Sequence, residues 1–125
     1  MNTPSEPPRI HPAAAPLQAL WRELPGLRGA LVCSTQGDIH AVAGDAEDTM
    51  RALTTFAVGM YELGARTALE SGVGEAQTLL LGCSAGVLAV VELAGARLLL
   101  ALAGEEVPVG GLLYDMRRTA RTLRA

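Results

Sequence analysis

Residues 75–103, EAQTLLLGCSAGVLAVVELAGARLLLALA, constrain the fold more than any other stretch. They read as three successive strands, two of them apolar at nearly every position rather than at alternate ones. Strands of that kind are buried on both faces, so the sheet must carry helices above and below. Ser84-Ala85-Gly86 and Ala94-Gly95 supply the intervening hairpin turns. The rival reading is a membrane span within residues 78–103, but Glu92 and Arg97 interrupt it before the ~20 apolar residues that a span needs.

The rest of the chain supplies the covers. Residues 17–24 form a short helix with Leu17, Leu20, Trp21 and Leu24 on one face, stopped by Pro25-Gly26. Residues 28–34 and 39–43 flank Thr35-Gln36-Gly37-Asp38 as a first hairpin. A long helix follows over residues 46–71, with Asp45 and Asp48 as a capping-box variant and Gly72 as its stop. A last helix spans residues 112–123, with Leu112, Leu113, Met116, Ala120 and Leu123 on one side. Arg117, Arg118, Arg121 and Arg124 lie largely on the other. The order α-β-β-α-β-β-β-α predicts an α/β (α+β) fold: a single five-stranded, mainly antiparallel sheet with helices on both faces.

A chain of 125 residues buries roughly two thirds of its unfolded surface, enough for one ordinary core. Pro4, Pro7, Pro8, Pro12 and Pro16 mark residues 1–16 as a flexible, proline-rich tail, leaving residues 17–125 as the domain. The tail has neither the apolar stretch nor the basic leader of a signal peptide, so a cytoplasmic protein is expected. With a net charge of −3 and 18% charged residues, nothing favours bulk nucleic-acid binding. All ten basic residues are arginine. The four near the C-terminus have two readings: complementation of the helix dipole with solvation, or a basic patch for an acidic partner or membrane surface.

The long helix carries a double apolar pattern. Ala46, Met50, Leu53, Ala57, Met60, Gly64 and Ala68 form one stripe, and Ala52, Phe56, Gly59 and Leu63 form a second beside it. One stripe covers a sheet. The second, rich in small residues, suits either close approach of another helix or a wider core-facing surface. Glu47, Arg51, Thr54, Thr55, Val58, Glu62 and Arg66 are left to face outward.

Chemistry is sparse. Neither GxxxxGK[ST] nor GxGxxG occurs, so nucleotide binding lacks a motif. Ser34 and Ser84 have no histidine at a suggestive position, and Glu105-Glu106 before Pro108 reads as a soluble turn, so no catalytic residue is nominated. Cys33 and Cys83, isolated in apolar strands, read as buried free thiols. With His11 and His40 lacking partners at ligand spacing, neither a metal nor a cofactor is expected.

Two local sequences, PGLRGALVCSTQG at residues 25–37 and GLLYDMRR at residues 111–118, together with the element order, resemble the Roadblock (dynein light chain) family and its bacterial MglB-like branch. Gly29, Ala30, Ser34, Gly37, Gly111, Leu112, Asp115, Met116 and Arg117 fit the pattern, and the resemblance covers residues 15–125. Gln36-Gly37 replaces the usual Asp-Gly, and Ala43-Gly44 replaces the small-Ser end of the second strand.

The resemblance implies a homodimer joined edge to edge through the third strand, with the long helices side by side. The implied interface takes in Met50, Leu53, Ala57, Met60 and Gly64 on the helix and Thr78 and Leu80 on the strand. It also implies a Ras-like small GTPase (MglA-type) as partner. Such regulators promote GTP hydrolysis without donating an arginine finger, and Arg51, Thr55, Glu62 and Arg66 become the partner-facing candidates. A signalling kinase complex is a further implied partner. Three classes stay open: a GTPase regulator or scaffold, a small-molecule sensor of similar topology, and a structural oligomerisation adaptor. The low aromatic content, 3%, speaks against a ligand-sensing pocket.

Overall fold

The computed structural model describes residues 11–123. The elements are α1 (Ala14–Glu23), β1 (Leu27–Ser34), β2 (Ile39–Gly44), α2 (Glu47–Glu70), β3 (Thr78–Cys83), β4 (Gly86–Leu93), β5 (Arg97–Gly104) and α3 (Val109–Leu123). The order is the expected one. Every strand pairing is antiparallel, and the single sheet runs β2-β1-β5-β4-β3. The last strand in sequence is therefore the middle strand in space, and β3 is an edge.

The two sheet faces carry separate cores. On one face α1 and α3 cover Ala30, Val32, Ala89, Val91, Leu99 and Ala101 with Leu17, Leu20, Leu112, Met116 and Ala120. On the other, α2 covers Leu31, Cys33, Val90, Leu98 and Leu100 with Met50, Ala57, Val58 and Tyr61. Leu98, Leu99 and Leu100 alternate between these layers, and all three are fully buried. That is why β5 reads as a continuous apolar run: at the centre of a doubly covered sheet both side-chain directions are interior.

Several boundaries differ from the sequence reading. Helix α1 begins at Ala14, before residue 17, and includes Pro16 in its first turn. Proline fits there because the first N–H groups of a helix have no intrahelical acceptor. Residues 1–10 of the expected tail lie outside the described residues. Helix α2 has no Asp45 cap: Ala46 is the N-cap, without a side-chain hydrogen bond, and its N–H donates to the Arg28 carbonyl at 3.0 Å. Glu47 and Asp48 supply the negative charge that the helix N-terminus favours. At the other end Gly72 takes φ +77 and donates to the Leu69 carbonyl, so the expected stop forms as a left-handed cap. Helix α3 starts at Val109, directly after Pro108 and three residues before the expected start.

The seating of α2 depends on Gly29 in β1. A Cβ there would stand 2.7 Å from Met50 Cγ, so hydrogen at this position lets the methionine lie on the strand. Thr54 sits one turn on, buried, with its Oγ1 donating to the Met50 carbonyl at 2.8 Å. That back-bond satisfies the hydroxyl inside an apolar layer.

Candidate functional site

The rotation of α2 about its axis decides what it offers a partner. Its sheet-facing stripe is Met50, Thr54, Ala57, Val58 and Tyr61, so Thr54 and Val58, expected outside, are interior. Met50 and Ala57, expected at a subunit interface, are wholly buried against the chain's own sheet and have no surface left to present. Leu53, Met60 and Gly64 lie half-buried on one flank, and Gly64 approaches Leu79 of β3, 3.4 Å from the position of a Cβ. Beyond that flank, Phe56 and Leu63 are 73% and 67% exposed, with Ala52 and Gly59 exposed beside them. The second apolar stripe is thus bare.

Strand β3 continues this surface. It pairs with β4 along one side only, leaving its outer N–H and C=O groups free. Leu81 stands opposite Leu88, a residue of the α2-side core, and is 43% exposed. Leu80 stands opposite Ala89, a residue of the α1/α3-side core, and is 42% exposed; Thr78 on the same face is half-buried. The strand is therefore open along its edge and covered only at its start, where Thr78 and Leu79 are half-buried, while Leu80 and Leu81 are exposed on opposite faces. Cys83 at its end is exposed, not buried as expected, whereas Cys33 is interior and burial pushes its thiol up to about 11.

Arg51, Thr55, Glu62 and Arg66 are all exposed, and by helical geometry they share the flank of α2 opposite Leu53, Met60 and Gly64. Arg51 is drawn toward Glu47, 3.1 Å away, as an exposed i,i+4 pair. One apolar flank and one charged flank therefore run along the same helix.

Tyr61 anchors the connection into β3. Its hydroxyl lies 2.9 Å from the Ala76 carbonyl and 2.8 Å from Glu92 Oε2, and its single proton serves one acceptor at a time. Burial first, then the Glu92 carboxylate, raises its pKa above the usual phenol range. Sequence spacing gave no sign of this bridge between helix and strand. It gave none either of the His11–His40 stack, whose ring centroids are 4.8 Å apart. His11 Nδ1 accepts the Ala13 N–H there, while burial, followed by His11 and Arg97 nearby, lowers the pKa of His40. Among the described residues no group of three His, Cys, Asp or Glu side chains could hold a metal ion, and no helix is long and apolar enough to cross a membrane. The Ser34 hydroxyl is engaged as an acceptor for the Gln36 and Asp38 N–H groups of the first hairpin.

A five-stranded antiparallel sheet in this element order, with two helices on one face and one long helix on the other, is the Roadblock/LC7 fold. Among solved structures, the chain is similar to a Roadblock/LC7 domain from Streptomyces avermitilis, with a TM-score of 0.81 and 23% identity over 88% of this chain and 92% of that one. It is also similar to MglB of Myxococcus xanthus, with a TM-score of 0.82 and 12% identity over 95% and 90% of the two chains. Gliding protein MglB from Thermus thermophilus gives a TM-score of 0.81 and 22% identity over 98% and 96%. No family model matches the sequence, and no curated protein matches it at a significant level.

Proposed function

We propose that the protein is a homodimeric, non-catalytic regulator that binds a Ras-like small GTPase and modulates its GTPase cycle. The observation that carries this reading is the bare apolar surface of Phe56 and Leu63 on α2 and Leu81 on the same side of β3, next to an unpaired strand edge whose other face exposes Leu80. A monomer would leave in water the kind of surface that marks a protein interface. A second copy covers it by antiparallel pairing of β3 with β3 and packing of α2 against α2. The interface then takes Leu53, Met60, Gly64, Thr78 and Leu80 from the sequence reading and gains Phe56, Leu63 and Leu81; Met50 and Ala57 drop out.

The GTPase assignment rests on the Roadblock-type architecture and on the charged flank of Arg51, Thr55, Glu62 and Arg66, which stays exposed beside the paired helices. The test is capture from native lysate on the tagged protein, in parallel with a non-hydrolysable GTP analogue or GDP, read by mass spectrometry. A Ras-like GTPase recovered preferentially in one nucleotide state, and lost when the four flank residues are changed to alanine in a protein that still dimerises, supports the regulator. Recovery of none favours a structural adaptor.

A further inference from the structure

The chain's two histidines, which no motif in the sequence uses, meet where α1 begins. Their rings stack with centroids 4.8 Å apart and planes 17° from parallel. A β-bulge brings His40 there. Val32 pairs with Ala41 and Cys33 with Ile39, so His40 is the extra residue of β2. Ile39 packs on the α2 side and Ala41 on the α1/α3 side, a change of face that one inserted residue makes.

His11 closes the turn into α1. Its carbonyl accepts the Ala14 N–H at 2.9 Å, and its Nδ1 accepts the Ala13 N–H at 3.0 Å. Ala13 is buried, so its N–H has little access to water once that bond is lost. The bond needs the Nδ1 lone pair: a proton there sets one donor against another. His40 carries a matching constraint. Its Nδ1 is buried without a hydrogen-bond partner among the described residues, so a proton placed on it meets no acceptor.

The charged and titratable groups around His40 are His11 before α1, Arg97 at the start of β5 and Asp38 in the first hairpin. Arg97 is held in place by the Ala94 and Leu123 carbonyls. Burial first, then His11 and Arg97, lowers the His40 pKa below the ordinary 6.5, and Asp38 opposes them. The closed structure therefore favours the neutral ring. That preference contributes stability above about pH 6.5 and is lost as pH falls through the lowered value.

We propose that His11 and His40 form an acid-operated latch on the first turn of α1, closed while both rings are neutral and opened when both take a proton. Three contacts fail together on charging: the Ala13 bond to Nδ1, the stack of two rings that now repel, and the burial of the His40 Nδ1. Opening lifts the Ala13 methyl off the core that it shares with Ala41 and Ala43 of β2. Leu17 and Leu20, fully buried further along, hold the rest of the helix down. The latch lies at the β2 edge, across the sheet from β3, so it is independent of the proposed pairing and of GTPase binding.

The experiment uses the full chain labelled with ¹³C and ¹⁵N, titrated by NMR from about pH 7.5 to about pH 5. Backbone order parameters at Ala13 and Ala14 should fall from about 0.85 to below about 0.6, while Leu99 keeps the rigid value. The Cε1 resonances of both rings should titrate over the same interval, His40 with its midpoint below 6.5. His11→Asn keeps an acceptor for the Ala13 N–H, His40→Phe keeps a ring at the bulge, and neither new side chain takes a proton. The H11N/H40F double variant should therefore hold Ala13 and Ala14 ordered at both ends of the titration. Parent order parameters that stay at about 0.85 down to about pH 5, that are already low at about pH 7.5, or that fall at Leu99 as well overturn the proposal. An equal fall in the double variant overturns it too. So do ring titrations separated in pH from the loss of order, a result that needs no variant.

Discussion

Strands β3 and β5 both contain a run of three leucines, Leu79-Leu80-Leu81 and Leu98-Leu99-Leu100, yet they meet opposite fates. In β5 all three are fully buried, while in β3 none is buried and two stand more than two fifths exposed. Composition does not separate them; position in the sheet does. A strand flanked by neighbours on both sides and helices on both faces has only interior directions, whereas an edge strand that α2 reaches only at Leu79 keeps its outer edge and much of both faces open. The difference teaches that an apolar run alone does not say whether its burial is complete within one chain: it is for β5 and is not for β3.

The largest effect should come from the closed strand. Leu100→Ala removes a fully buried side chain beside Leu31 and should cost about 3 kcal/mol, within the range of 2–5 for such truncations, read from urea unfolding. A loss under about 1 kcal/mol would mean that the two strands are less different than their burial implies.

Next comes the thiol contrast. Cys33 sits on β1 with its ionisation raised to about 11 from 9.0, so the folded state favours the protonated thiol. That contribution is fully present below pH 9 and is lost as pH rises through about 11, amounting to about 2–3 kcal/mol at most. Cys33→Ala should flatten the fall in stability across that window. Cys83, exposed at the end of β3, should react with an aromatic disulfide reagent at neutral pH in the native protein, whereas Cys33 reacts only on unfolding.

Tyr61→Phe should lower stability by about 1 kcal/mol through loss of the hydrogen bond that the hydroxyl donates to the Ala76 carbonyl or the Glu92 carboxylate. Hydrogen exchange should speed up at the start of β3 before it changes in β5. The raised phenol pKa adds a sign: the wild type's advantage holds below pH 10 and shrinks at more alkaline pH, as the buried hydroxyl is forced to ionise.

The smallest effect on the fold itself belongs to Leu81→Lys, expected to change monomer unfolding by no more than about 0.5 kcal/mol because the position is already partly in water. Its effect on association should be large. If the proposed pairing makes the parent a dimer, sedimentation velocity at micromolar concentration should report a monomer for the variant; a variant that sediments as the parent dimer would rule out pairing through this edge.

Much of the fold was legible because its signals are local. Each strand is bounded by a turn within a few residues, and the helix stop at Gly72 is written in one glycine. What was hidden depended on contacts remote in sequence. The rotation of α2 escaped because Thr54 reads as polar until its hydroxyl is seen to satisfy itself on the Met50 carbonyl, which removes the penalty for facing the core. Met50 and Ala57, which the resemblance implies at a subunit interface, lie instead in the sheet-facing stripe together with Thr54 and Val58. The early start of α1 escaped because Pro16 looks like a breaker unless the first-turn exception is applied. The four charged-flank residues were correctly expected at the surface, since charged and small polar side chains without a back-bond have no reason to turn inward.

The place of β5 between β1 and β4 carries a consequence for how the chain is made. While a ribosome is still adding residues 97–104, the β1–β2 hairpin and the β3–β4 hairpin are two fragments without a common partner, each with a leucine- or valine-rich edge exposed. Nascent chains cannot reach a native intermediate by growth from the N-terminus; they must hold both pieces apart and then insert the late strand between them. Synthesis therefore ends in a single closing event, and any pause or truncation before residue 97 leaves two sticky half-sheets in place of a smaller folded domain.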